Sequence, residues 1–139
     1  MQLVQDQSVP AHPALDPMSQ AIQKARASIG DFFRAHRIPR ARQTDFRIQA
    51  IFHDGDRREQ IWLSHLDFNT RPATGIICTR TNLKTASYGK RVPFHPDQMS
   101  DWMYLDNGQI VGGFTINIQA NPELEQRSFL DRLKRRLVA

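Results

Sequence analysis

Cysteine is nearly absent: Cys78 stands alone among 139 residues, so no internal disulfide can staple the fold and no Cys-pair metal site can form. Its place in the apolar run Ala73-Thr74-Gly75-Ile76-Ile77-Cys78-Thr79 is the usual one for a core thiol. Long apolar runs are absent too. No stretch nears the ~18 residues that open a membrane-span reading, and the start Met-Gln-Leu-Val-Gln-Asp has neither the basic residues nor the apolar core of a signal peptide. A soluble domain is expected, cytoplasmic as the chain stands and periplasmic if a leader once preceded it. The five histidines, His12, His36, His53, His65 and His95, form no ligand pair at helical or hairpin spacing. No P-loop, dinucleotide-binding glycine pattern, nucleophile elbow or His-Glu-x-x-His helix is present. No metal or cofactor is expected, and no recognisable catalytic motif.

What remains is the composition of a folded domain: 40% hydrophobic and 24% charged residues, unlike a disordered chain, in a length that suits one core rather than two. The net charge of +5 is unevenly placed. Between residues 24 and 47, Lys24, Arg26, Arg34, Arg37, Arg40, Arg42 and Arg47 face only Asp31 and Asp45. A second basic run, Lys134-Arg135-Arg136, lies near the end of the chain, and the middle is mildly acidic.

Residues 1–15 hold two prolines and no periodicity, which predicts a flexible tail before a single domain over 16–139. Asp16-Pro17 is a favourable helix start, an Asp N-cap followed by Pro at the first helical position. Met18, Ile22, Ala25, Ile29 and Phe33 then predict one apolar stripe on a helix. It should end near His36, before Ile38-Pro39, since a residue preceding proline leaves the helical region. Phe46, Ile48, Ala50 and Phe52 fall at alternate positions, predicting a strand with one face on a core. Asp54-Gly55 predicts a hairpin turn, and strands are expected over 59–66, 75–80 and 90–94. A second helix is expected from Glu123, with Leu124, Leu130, Leu133 and Leu137 as a partial stripe. The expected class is α+β: an N-terminal helix packed on a curved antiparallel sheet of five to six strands, plus a C-terminal helix.

The clearest element is Ser100 to Ile116. With Asn107-Gly108 as a two-residue loop, Leu105 should pair with Ile110, Met103 with Gly112, Tyr104 with Val111, Asp101 with Phe114 and Trp102 with Gly113. That register lays the indole over Gly113 and puts Asp101 on the face of Met103, Leu105 and Phe114.

Asp101-Trp102-Met103-Tyr104 followed by Gly112-Gly113-Phe114-Thr115, together with Asp16 to Phe33, Glu59-Gln60-Ile61-Trp62-Leu63, Gly75, Asn82 and Gly89, resemble the YegJ-like family of bacterial proteins of unknown function over residues 16 to 118. Where that family tends toward Asn-x-Pro and Gly-Asp, this chain has Asn82-Leu83-Lys84 and Gly89-Lys90. The resemblance implies a fold and no chemistry.

Candidate binding residues are therefore Glu59, Trp62, Asn82, Asp101, Trp102, Tyr104, Gly112 and Gly113. Exposed aromatics on a sheet can anchor a partner, while the alternative for both tryptophans is core packing. Asp101 and Glu59 could form a paired buried carboxylate suited to acid–base work; the plainer reading has Asp101 capping turn N–H groups and Glu59 paired with an arginine. Arg34, Arg37, Arg40 and Arg42 form a candidate basic patch. The favoured function is a non-catalytic protein-binding module, an inhibitor or immunity-type role being one form of it. The alternative is nucleic acid or an anionic surface bound through residues 24–47, and an enzyme comes third.

Overall fold

A computed structural model describes residues 16–118. The expected flexible tail and the expected C-terminal helix lie outside the described residues. Two short helices, α1 (Pro17–Ala27) and α2 (Ile29–Arg37), precede six strands: β1 (Gln43–Asp54), β2 (Arg57–Asp67), β3 (Ala73–Ile77), β4 (Arg91–Phe94), β5 (Met99–Asp106) and β6 (Gln109–Gly112). All pair antiparallel in one sheet of order β4-β3-β2-β1-β5-β6, the α+β class expected.

Asp16 caps α1 by accepting the Ser19 N–H at 2.7 Å, and this bond holds its carboxyl below the usual carboxylate range. The single expected helix is interrupted. Ser28 donates its hydroxyl to the Lys24 carbonyl at 2.7 Å, and its N–H also turns back on Lys24 and Ala25, which ends α1 and restarts the winding at Ile29. The phase shift moves the buried position by one: Phe32 is wholly buried, whereas Phe33, expected on the apolar stripe, is 42% exposed.

Alternation along the strands gives the sheet two apolar faces. On one, Ile48, Ala50, Ile61, Leu63, Trp102 and Tyr104 pack beneath Ala25 and Phe32. On the other, Trp62, Met103, Leu105 and Ile116 form a second cluster. The sheet is also strongly bent. From Phe94 at the end of β4 to Met99 at the start of β5 is five residue steps, at most about 17 Å fully extended, and part of that link is the 3-10 turn Pro96–Gln98. Four interstrand spacings in a flat sheet would need about 19 Å, so the sheet must curl. Register breaks in β1 between Thr44 and Arg47 and between Gln49 and Ala50, and in β2 between Ser64 and Asp67, supply the bends.

The final hairpin forms as read through Met103↔Gly112, Tyr104↔Val111 and Leu105↔Ile110, then departs. Gly112 has φ +82°, which swings its missing Cβ toward Trp102; a Cβ there would meet the Trp102 carbonyl oxygen and, at 2.6 Å, the indole. The indole therefore lies against Gly112, not Gly113, which instead abuts Ile116 and Ile110. The same turn carries the Phe114 ring over to Trp102, at 5.8 Å edge-on, away from the Met103 face where it was expected.

Candidate functional site

The residues with chemistry divide into three groups. The first surrounds Asp101, a wholly buried residue of β5. One carboxylate oxygen accepts the N–H groups of Trp102 at 2.7 Å and Phe114 at 3.2 Å, and the other accepts the Thr115 N–H at 2.8 Å and hydroxyl at 2.7 Å. Burial pushes the Asp101 carboxyl above its usual range, and the four donors pull against that without cancelling it. The network extends to Gln49 of β1, whose Oε1 receives the Ser100 hydroxyl at 2.8 Å and the Gln60 amide at 3.1 Å. Asp101 ties the Gly112–Thr115 turn to β5 and is surrounded by donors that leave no room for a substrate.

The second group is Glu59 and Asn82, which the structure does bring together. Both Glu59 carboxylate oxygens accept the Asn82 N–H at 3.2 Å, so Glu59 holds a loop backbone rather than an arginine. Arg57 reaches the Asn82 carbonyl at 3.4 Å and Asp54 takes the Lys84 N–H at 3.4 Å, while Leu83 and Ala86 enter the core. The 78–90 connection is thereby pinned across the end of the β1–β2 hairpin. The paired-carboxylate idea fails on geometry. Glu59 opposes Phe52 and shares the helix-side face, whereas Asp101 opposes Gln49 on the other.

Trp62, Trp102 and Tyr104, offered as binding-surface aromatics beside a core-packing reading for the two tryptophans, are 5%, 2% and 8% accessible. Trp62 and Trp102 point to opposite faces, and the Trp102 Nε1–H donates to the Ala25 carbonyl at 3.0 Å. They are core, because a sheet this short apolar on both faces needs its largest rings inside. Gly112 and Gly113 serve the turn beneath them.

The third group is the basic patch, whose charged side chains are open to solvent. Arg34, Arg37, Arg40 and Arg42 are all exposed around the end of α2 and the turn into β1. Arg34 pairs with Asp31, and Arg42 Nε lies 2.6 Å from the Asp106 carboxylate; the Gln43 amide first, and Arg42 after it, hold the Asp106 carboxyl below its usual range. Phe33 precedes Arg34, and Ile38, 78% exposed, stands between Arg37 and Arg40. Phe33 continues inward as a chain of ring contacts through Phe68 and Phe32 to Phe46, Tyr104 and Trp102. His36 is enclosed by the same rings: it stacks on Phe32 at 5.9 Å and meets Phe46 and Phe68 edge-on at 5.4 and 5.2 Å. Burial lowers its affinity for a proton. Two further members of the basic segment are engaged by the fold: Arg26 is spent on the Met99 and Asp97 carbonyls, and Arg47 is buried, with Nη1 3.0 Å from Cys78 Sγ. Among the described residues no group of three His, Cys, Asp or Glu could hold a metal ion, and no helix is long and apolar enough to cross a membrane.

Residues 16–128 match the model of DUF2314, described as an uncharacterised protein conserved in bacteria. The chain belongs to this family. It is similar to the uncharacterised protein YegJ of Escherichia coli, 29% identical over 102 residues, covering 72% of this chain and 65% of YegJ. It is also similar to a putative ankyrin repeat protein of Neisseria meningitidis serogroup B, 28% identical over 120 residues, 80% of this chain and 47% of that protein. The chain thus spans less than two thirds of the length of each of these relatives. No solved structure matches. The DUF2314 match covers the Asp101 network, the Glu59–Asn82 clasp and the arginine surface alike. Sequence reasoning missed Phe33 and Ile38 as surface residues and His36 as a caged ring; Ile38-Pro39 set between arginines was the available signal for an exposed apolar residue.

Proposed function

We propose that this DUF2314 domain is a non-catalytic protein-binding module that engages its partner through the end of α2 and the turn into β1. The observation that carries the reading is the placement of apolar exposure. Phe33, Ile38 and Tyr88 are the exposed large hydrophobics among the described residues, and two of the three are adjacent in sequence to the exposed arginines of residues 34–42. Apolar anchors beside arginine are the side chains from which interface hot spots are built. The name of the Neisseria relative supports an interaction role, since ankyrin repeats stack into extended binding surfaces. The buried candidates offer nothing comparable: Asp101, Trp62 and Trp102 present no area to a ligand.

A second reading, binding of nucleic acid through the same arginines, is favoured by their clustering. Site-specific photocrosslinking in the native host separates the two. A photoreactive residue at position 33 should give a discrete protein adduct, and one at Asp56, in the turn at the far end of β1, should give none. Adducts removed by nuclease would favour the second reading, and failure to form any protein adduct from the α2 surface would refute the first.

A further inference from the structure

The four arginines of this surface are not equivalent, and the difference specifies what kind of partner fits it. Arg34 is already paired with Asp31 and Arg42 with Asp106. Arg37 and Arg40 have no carboxylate within ion-pair distance among the described residues. These two cations, of which Arg40 acts on Asp106 only through longer-range attraction, flank the most exposed apolar side chain on the surface, Ile38. From this we infer, resting on the protein-binding reading, that the partner presents an apolar pocket rimmed by carboxylates, into which Ile38 inserts while Arg37 and Arg40 pair with the rim.

The segment is built as a fixed projection. The Ile38 N–H closes α2 on the Arg34 carbonyl, and Pro39 restricts the next φ angle. Arg40 and Gln43 then close on each other: the Arg40 N–H donates to Gln43 Oε1 and the Gln43 N–H to the Arg40 carbonyl, both at 2.9 Å. The turn is tied to the β5–β6 hairpin by the Gln43 amide on Asp106 at 3.2 Å and the Asn107 N–H on the Arg42 carbonyl at 3.0 Å. A knob held this way loses little freedom on binding. Its chemistry selects the partner class. A β-branched aliphatic side chain cannot stack on a nucleobase, but it fills an apolar pocket, and an apolar centre within a charged rim is the ordinary anatomy of a protein interface. Two positive charges without a carboxylate in ion-pair contact, Arg40 acting on Asp106 only at longer range, call for carboxylates opposite, which steer encounter and fix orientation.

The test uses the photoadduct formed from position 33 in the native host as readout, with the crosslinked protein and its contacted peptide identified by mass spectrometry. The contacted surface should be rich in Asp and Glu. The double reversal Arg37→Glu/Arg40→Glu should reduce adduct yield by about tenfold or more, through like-charge contact with that rim. Ile38→Ala should reduce it by about tenfold. Arg58→Glu/Lys84→Glu makes the same change in net charge at exposed positions on β2 and the 78–90 connection, and should leave the yield within about twofold, because exposed charges beyond a Debye length are screened. Thermal melts of each variant confirm that it folds. An adduct insensitive to both Ile38→Ala and the Arg37/Arg40 reversal, or weakened equally by the control reversal, overturns this inference while leaving the protein-binding reading in place. Absence of any protein adduct from the unmodified surface overturns both.

Discussion

Asp101 is buried as an acceptor among four donors, two on each oxygen. Asp101→Asn would turn one of those oxygens into an NH2 group facing N–H and O–H donors, so it should destabilise the fold by about 2–3 kcal/mol, read as a lower urea midpoint at unchanged slope. Its pH dependence has a definite sign. Folding raises the Asp101 value, so as pH falls the native state takes up this proton before the unfolded chain does. The associated stability is present below the ordinary carboxylate value and is lost as pH rises through the raised one. Comparison with Asp101→Asn should isolate that loss. Gly112 gives a sharper residue-scale contrast. Gly112→Ala places a methyl group into the Trp102 carbonyl and indole at a left-handed backbone position, and should cost about 3 kcal/mol or more, from strain and overpacking together. Gly108→Ala shares a positive φ but meets nothing within 4 Å, so its cost should stay near about 1 kcal/mol. Equal losses in thermal melts would refute the packing account.

At the scale of elements, the hairpin register was legible because Asn-Gly fixes loop length and alternation fixes the faces. Its last two pairs were not legible, because a strand pattern says nothing of where two successive glycines adopt positive φ and leave the ladder. The helix boundary failed for a similar reason. Met18 to Phe33 keeps a helical period in sequence, but the Ser28 back-bond competes with the helix ladder and shifts the phase, which is why Phe33 became surface and Phe32 core. Glu59 and Asn82 were legible only as residue names; that they clasp a loop depends on a connection with no periodicity to read. The caged His36 belongs to this scale, since it joins α2 to β1 and to Phe68. Folding lowers its proton affinity, so the unfolded chain protonates first as pH falls. Stability should be full above the ordinary histidine value of about 6.5 and decline as pH drops below it toward the folded value. His36→Phe keeps the ring contacts without the proton, so its stability should be flatter than the parent's between about pH 7 and 5 in denaturant titrations. An unchanged slope would mean that the cage does not hold the neutral ring.

Over the whole molecule, β1 lies in the sheet between β2 and β5, which send one tryptophan each into two apolar clusters, Trp102 into one and Trp62 into the other, so the chain supplies one tryptophan to report on each. The helices are not an independent layer: α1 gives its Ala25 carbonyl to the Trp102 indole, and Arg26 reaches across to the Met99 and Asp97 carbonyls at the entry to β5. The Gln49–Ser100–Asp101–Thr115 network links β1, β5 and the final turn through buried polar atoms, and such atoms lose their partners if either strand moves. The two faces should therefore unfold as one unit. In Trp102→Phe the remaining fluorescence reports the Trp62 face, and in Trp62→Phe the helix-side face. Each variant will have its own stability, so the comparison is made within it: fluorescence and far-UV circular dichroism should trace the same urea transition in both. If in Trp62→Phe the Trp102 signal changes at a lower urea concentration than the circular dichroism, the helices leave the sheet before it melts. The α2 surface would then be a separable element rather than a rigid projection of the core.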